Sequence, residues 1–127
     1  MEQNPLTAKE KKKLKKIRIK ELMTVYRGLL TDKEDKILSL FVEEGMTGAR
    51  IARMQNVSRQ AIHDHMRRAL SRMENCEKRM HLLEKRRETL AYIDKLQSSL
   101  KRMIKKAPDE KKIEKALELL EKIKKNV

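Results

Sequence analysis

The chain has 127 residues, of which 39% are hydrophobic and 41% charged, and its formal net charge is +14. Three glycines, two prolines and 2% aromatic residues are typical of long amphipathic helices rather than of sheets. The single cysteine, Cys76, excludes an internal disulfide, and no apolar run approaches the roughly 18 residues that a membrane-spanning helix needs. We therefore expect an all-α cytoplasmic protein, without membrane insertion, that binds a polyanion.

Two capping boxes predict where the first helices begin. Thr7 with Glu10, and Thr31 with Glu34, place a hydroxyl and a carboxylate three residues apart. In a capping box each of these side chains accepts a hydrogen bond from the other residue's backbone N–H. The sequence therefore predicts helices that begin directly after Thr7 and after Thr31.

Glycines mark the expected ends of these two helices. Gly28 and Gly45 each follow an apolar stripe, and glycine readily takes the left-handed conformation that ends a helix.

Residues 1–28 form the first predicted unit, a basic N-terminal arm and helix. Residues 1–27 carry nine Lys and Arg against three acids.

Residues 29–72 contain the pattern of a helix-turn-helix module, the second predicted unit. Thr47 is predicted to cap a short helix over 48–54, Asn56 to form a left-handed turn, and Ser58 to cap the following helix. In such a module the second helix enters the major groove of DNA and reads bases with its N-terminal residues.

The second helix of this module is predicted to have a core face and a reading face. Ile62 and Met66 fall on the core side. Arg59 at the first helical position is unfavourable beside the partial positive charge of a helix N-terminus, unless that end meets a phosphate-rich groove. Arginine pairs with guanine and glutamine with adenine in the major groove. The predicted base-reading residues are Arg59, Gln60, His63 and Arg67.

Further residues of the module are predicted to contact phosphates. Two hydroxyls and four guanidinium groups could serve this purpose. They belong to Thr47, Ser58, Arg50, Arg53, Arg68 and Arg72. Asp64 has two interpretations: it accepts a hydrogen bond from a cytosine amino group, or it forms a salt bridge with Arg68 four residues on.

A heptad pattern extends beyond the module, because neither glycine nor proline occurs between Ser58 and Pro108. Such a seam indicates helix-against-helix packing. Residues 73–127 are therefore predicted to form a long helix and a C-terminal helix starting at Pro108, and to support a homodimer through the seam over 62–104, with a break near 84–90. The predicted seam residues are Ile62, Met66, Ala69, Met73, Cys76, Met80, Leu83, Leu90, Ile93, Leu96, Leu100, Met103 and Ile104.

Several segments resemble known protein families. The stretch "LLTDKEDKILSLFVEEGMTGARIARMQNVSRQAIHDHMRRAL" is similar to region 4 of the sigma-70 class. More narrowly, "VYRGLLTDK", "VSRQAIHDHMRRA" and "IDKLQSSLKRMIKKAPD" resemble the YlxM family of small bacterial helix-turn-helix proteins. The resemblance implies an all-helical DNA-reading domain followed by long helices that pair in dimers. It also implies a link to the signal recognition particle pathway.

Two functions remain open at this point. The first is a DNA-binding transcriptional regulator; the alternative is a helical adaptor that binds RNA or protein of the signal recognition particle. We expect no enzymatic activity and no cofactor, since no catalytic set or glycine-rich phosphate loop is present. His63, His65, Cys76 and His81 lack the spacing of a metal site on one helix.

Overall fold

The computed structural model describes residues 5–104 and 110–127, and it confirms the predicted all-α fold. Within these residues the backbone forms helices and no β-strand. The predicted start of the last helix at Pro108 lies outside the described residues. The helices are α1 (Ala8–Tyr26), α2 (Asp32–Val42), α3 (Gly48–Gln55), α4 (Arg59–Met80), α5 (Leu82–Ile104) and α6 (Glu110–Asn126), with a 3-10 turn at Arg27–Leu29.

The chain divides into two compact units, Met1–Leu83 and Glu84–Val127. This division differs from the predicted one at 1–28, 29–72 and 73–127. Helix α1 is part of the first unit, because Ile19 and Leu22 are fully buried in the same core as α2, α3 and α4. The predicted basic arm is therefore built into the helix-turn-helix unit.

Helix α4 lies at the centre of the first unit and packs against α1, α2 and α3. Each of these four helices contributes an apolar stripe, and burial of such side chains is the main favourable contribution to folding. The largest entirely buried side chains among the described residues are those of Ile19, Leu22, Ile37, Leu38, Ile51, Ile62 and Met73.

The predicted dimer seam is wrong for its first half. Ile62, Met66, Ala69 and Met73 are buried in the core of their own unit, against α1, α2 and α3. They cannot at the same time pack against a second copy of the chain. The heptad pattern was correct as a sign of helix packing, but the packing partner belongs to the same chain.

The predicted break in the long helix is present but lies earlier than 84–90. His81 has φ 54° and ψ 31°, a left-handed conformation, and its backbone N–H donates to the carbonyl of Glu77. Helix α4 therefore ends at Met80. That methionine, a predicted seam residue, is 50% exposed.

The capping predictions are confirmed at both helices. At α1 the Thr7 hydroxyl accepts from the Glu10 N–H at 3.2 Å, and the Glu10 carboxylate accepts from the Thr7 N–H at 3.1 Å. The corresponding distances between Thr31 and Glu34 are 3.1 and 2.9 Å. Both helices therefore begin where two residues three positions apart form a capping box.

Of the two glycines predicted to end helices in a left-handed conformation, one adopts that conformation. Gly45 has φ +67° and follows the end of α2, as predicted. Gly28 instead lies inside the 3-10 turn Arg27–Leu29, without a positive φ. The chain leaves α1 by tightening its last turn, so a left-handed residue is not required there.

Glu34 connects α2 to α4. Its Oε1 accepts from the Thr31 N–H at 2.9 Å and from Nη1 of Arg72 at 2.8 Å. Burial raises the pKa of Glu34, but the bonds from Arg72 and Thr31 outweigh this effect and hold the pKa below its ordinary value. A single buried carboxylate thus caps one helix and binds another.

The second unit is a helical hairpin of α5 and α6. Gln97 donates to Glu121 at 2.9 Å, Lys124 donates to Asp94 at 2.9 Å, and Arg86 donates to the Val127 carbonyl at 3.0 Å. Residue numbers rise on one helix as they fall on the other, so the helices are antiparallel.

Three apolar side chains are buried in this hairpin, those of Ile93, Ile113 and Leu120. The predicted seam residues Leu96 and Met103 are 50% and 53% exposed. The buried stripe of α5 is thus narrower than the heptad pattern indicates.

No helix within 5–104 or 110–127 combines the length and the apolar character needed to cross a membrane.

We expect Glu34→Ala to lower the free energy of unfolding by roughly 1–2 kcal/mol, because it removes the helix cap and the bond to Arg72. Glu34→Gln should cost less, since its amide oxygen can still accept from the Thr31 N–H. Urea denaturation at pH 7 measures both changes. Equal losses for the two variants would contradict the capping role.

Acid should destabilise the first unit. The Arg27 guanidinium lowers the pKa of Asp35 and Arg18 lowers that of Glu74, as Arg72 does for Glu34. The stabilisation is complete above the ordinary carboxyl values near pH 4 and is lost as pH falls through the lowered native values. Urea titrations between pH 6 and pH 2.5 should show that the free energy of unfolding falls with pH. The fall per pH unit should be smaller for Glu34→Gln than for the unchanged chain. An identical slope would exclude the contribution of Glu34.

Candidate nucleic-acid interface

Helix α3 forms the first arm of the helix-turn-helix, as predicted. The Thr47 hydroxyl accepts from the Arg50 N–H at 3.2 Å and caps the helix. Ile51 and Ala52 are buried on its inner side. The small side chain of Ala52 allows α4 to cross closely.

The turn between α3 and α4 has the predicted left-handed residue. Asn56 has φ 54° and ψ 46°. The N–H of Val57 donates to the carbonyl of Ala52 at 3.0 Å, and the Val57 side chain packs against the core. This turn fixes the direction in which α4 leaves α3.

The first turns of α4 separate core and solvent as predicted. The Ser58 hydroxyl accepts from the Ala61 N–H at 3.0 Å, and Arg59 is the first helical residue. Ile62 and Met66 are buried. The four predicted base-reading side chains share the exposed side and are those of Arg59, Gln60, His63 and Arg67.

Asp64 connects two residues of the predicted reading face. Its Oδ1 accepts from Nε2 of Gln60 at 3.1 Å and from Nη2 of Arg67 at 3.4 Å. The predicted salt bridge with Arg68 is replaced by this pairing with Arg67 at i+3. Asp64 thus holds two predicted reading residues next to each other.

The arginines of the first unit fall into two groups. Arg18, Arg27 and Arg72 form ion pairs with acids of other elements, and Arg67 pairs with Asp64 on its own helix. Of the module's guanidinium groups, by contrast, four make no ion pair with any described residue. These four exposed side chains are those of Arg50, Arg53, Arg59 and Arg68. Unneutralised positive charge is thus available along the module.

Arg72 differs from its predicted role. Its Nη1 lies 2.8 Å from Oε1 of Glu34 and 3.4 Å from the Leu29 carbonyl. The guanidinium joins α4 to the start of α2 and so stabilises the packing of the first unit. The sequence gives no sign of this pairing, because Glu34 lies 38 residues away.

Thr47 and Ser58 present hydroxyls at the starts of α3 and α4. Each oxygen accepts a capping bond from a backbone N–H. The hydroxyl hydrogen is not used by that bond and can still be donated to a phosphate oxygen. Capping and phosphate binding are therefore compatible at both residues.

The residues that the structure describes contain no group of three or more His, Cys, Asp or Glu side chains that could hold a metal ion. Cys76 packs against the core cluster of the first unit.

Comparison with known proteins gives a consistent result. The sequence profile of the UPF0122 family, described as "Putative helix-turn-helix protein, YlxM / p13 like", matches residues 13–115. The UPF0122 protein YlxM of Bacillus subtilis (strain 168) is 31% identical over 109 residues, which cover 86% of this chain and 96% of the relative. A UPF0122 protein of Clostridium botulinum is 33% identical over 86 residues, 68% of this chain and 79% of the relative. The chain belongs to the UPF0122 family of YlxM-like helix-turn-helix proteins.

Proposed function

We propose that the chain is a transcriptional regulator that binds duplex DNA, with the N-terminal half of α4 in the major groove. The carrying observation is the exposed face of Arg59, Gln60, His63 and Arg67, flanked by arginines that form no ion pair within the described residues. Membership of a helix-turn-helix family supports this assignment.

Arg59 gives this proposal its physical reason. A cation in the first turn of a helix is destabilising by about 0.3–1 kcal/mol. A negatively charged groove reverses the sign of that interaction, because the guanidinium then lies between the helix end and phosphates or guanine. Arg59 and Gln60 are the residues that we expect to specify the bases, and Thr47, Arg50, Arg53, Ser58 and Arg68 those that bind the backbone.

Arg59→Ala should weaken binding to a preferred duplex by roughly 10- to 100-fold, since one bidentate contact contributes about 1–3 kcal/mol of discrimination. The preferred site is first recovered by selection from random DNA, and affinities are then measured by fluorescence anisotropy. Arg79→Ala is the matched control. It removes the same charge from the same helix, about 30 Å further along, and should change affinity by about twofold or less.

The two parts of this experiment separate the candidate functions. Enrichment of a site that Arg59→Ala and Gln60→Ala abolish supports the regulator. Failure to enrich any duplex, with tight binding to signal recognition particle RNA, would replace it by the adaptor function. Equal losses for Arg59→Ala and Arg79→Ala would show that only total charge matters.

Asp64→Ala should have opposite effects on affinity and specificity. Removing one negative charge raises affinity for random duplex, whereas loss of the acceptor for Gln60 and Arg67 lowers the ratio of specific to random binding. Asp32→Ala, an exposed acid on α2, is the charge-matched control and should leave that ratio unchanged. A ratio that is maintained in Asp64→Ala would exclude the organising role.

A further inference from the structure

The first half of α1 carries an unneutralised lysine cluster. Seven lysines lie between residues 8 and 20, and the one acid among them, Glu10, is engaged with the Thr7 N–H in the capping box. None of these lysines forms an ion pair with a described residue. We call residues 8–20 the lysine arm; its lysines are Lys9, Lys11, Lys12, Lys13, Lys15, Lys16 and Lys20.

A salt bridge connects one edge of α1 to the side of α4 that carries the reading face. Nε and Nη2 of Arg18 bind the two carboxylate oxygens of Glu74 at 2.6 and 2.9 Å. Glu74 lies seven residues, or two helical turns, beyond Arg67, and side chains seven apart share one face of a helix. Helix α1 packs on the buried stripe of α4, and its Arg18 edge therefore borders the line of the reading face two turns beyond Arg67.

The direction of α1 brings the lysine arm towards that face. The Tyr26 hydroxyl donates to Glu77 at 2.6 Å and accepts from the Leu82 N–H at 3.3 Å, so the C-terminal end of α1 meets the C-terminal end of α4. Arg18, two turns earlier on α1, meets Glu74 instead. Moving towards its own N-terminus, α1 thus advances towards the N-terminal half of α4.

Two lysines anchor the arm to the rest of the first unit. The ammonium groups of Lys12 and Lys16 lie 6.0 and 4.8 Å from the ring centroid of Phe41 on α2. Cations at this distance are attracted by the aromatic ring. The arm is therefore held against the unit that carries the reading face.

Helical periodicity separates the remaining lysines into two sides. Lys11 and Lys15 precede Arg18 by seven and three residues and share its side of α1, the side that meets α4. Lys13 and Lys20 lie on the other side. All four side chains are exposed. The chain thus provides two charge-matched pairs of lysines on opposite sides of α1.

We propose that Lys11 and Lys15 bind backbone phosphates of the duplex next to the base pairs read by α4. This inference rests on the proposed DNA-binding function and extends its site to α1. Lysine suits this role as a compact point charge that needs no fixed donor geometry. Such contacts add affinity without sequence preference. The bound duplex thus extends past the end of the reading face.

The test compares the double variant Lys11→Gln/Lys15→Gln with Lys13→Gln/Lys20→Gln. Glutamine keeps a similar helix propensity, and thermal melts verify folding. Duplex affinity is measured between 50 and 200 mM salt. Loss of two phosphate contacts should reduce the slope of log K against log salt by about 1.8. The control pair should change it by less than about 0.5, and neither variant should alter the selected sequence.

Each result has a distinct meaning. A reduced slope for Lys11→Gln/Lys15→Gln alone supports phosphate binding by Lys11 and Lys15. An unchanged slope, or equal reductions in both variants, overturns it while duplex binding by the unchanged chain still stands. Absence of duplex binding by the unchanged chain overturns the proposed function itself, and the arm with it.

Discussion

Burial of one stripe of α4 is the constraint on which the first unit depends. Ile62, Met66, Ala69 and Met73 lie on this stripe, and α1, α2 and α3 all pack against it. A helix that is covered on one side must present its other residues to solvent. The same packing that stabilises the core therefore exposes the polar face that carries Arg59, Gln60 and His63.

Charge pairing adds a second level of organisation. Arg18 and Arg72 bind acids on other helices, and Arg27 bonds to Asp35, Ser39 and Glu43 near the start and end of α2. None of these three arginines lies in the first turns of α4. Of the arginines in α3 and the first turns of α4, Arg67 pairs with Asp64 on its own helix, and Arg50, Arg53, Arg59 and Arg68 form no ion pair with a described residue.

Local chemistry made much of this fold predictable. The caps at Thr7, Thr31, Thr47 and Ser58, and the left-handed turn at Asn56, depend on residues three or four positions apart. The division of α4 into a core side and an exposed side also followed from its periodicity. These features account for the helix-turn-helix and for the placement of its candidate contacts.

The remaining features depend on contacts that are distant in sequence. Two ion pairs join different helices through residues far apart in the sequence. Arg72 and Glu34 are 38 residues apart, and Arg18 and Glu74 are 56 apart. The heptad pattern likewise could not distinguish a second copy of the chain from α1 and α2 as the packing partner. Periodicity reports that a face is buried, but it carries no information about what buries it.

The left-handed residue at His81 separates the packing of α4 from that of α5. Met73 and Ile93 are buried positions of α4 and α5 that lie 20 residues apart, and an uninterrupted helix would rotate them by roughly 200° relative to each other. Because the helix is interrupted between them, the direction of the buried side chains of α5 is not set by that of α4. Leu83 is still buried in the core of the first unit, so a change of length beyond Leu83 alters the C-terminal hairpin without shifting any residue of the stripe on α4.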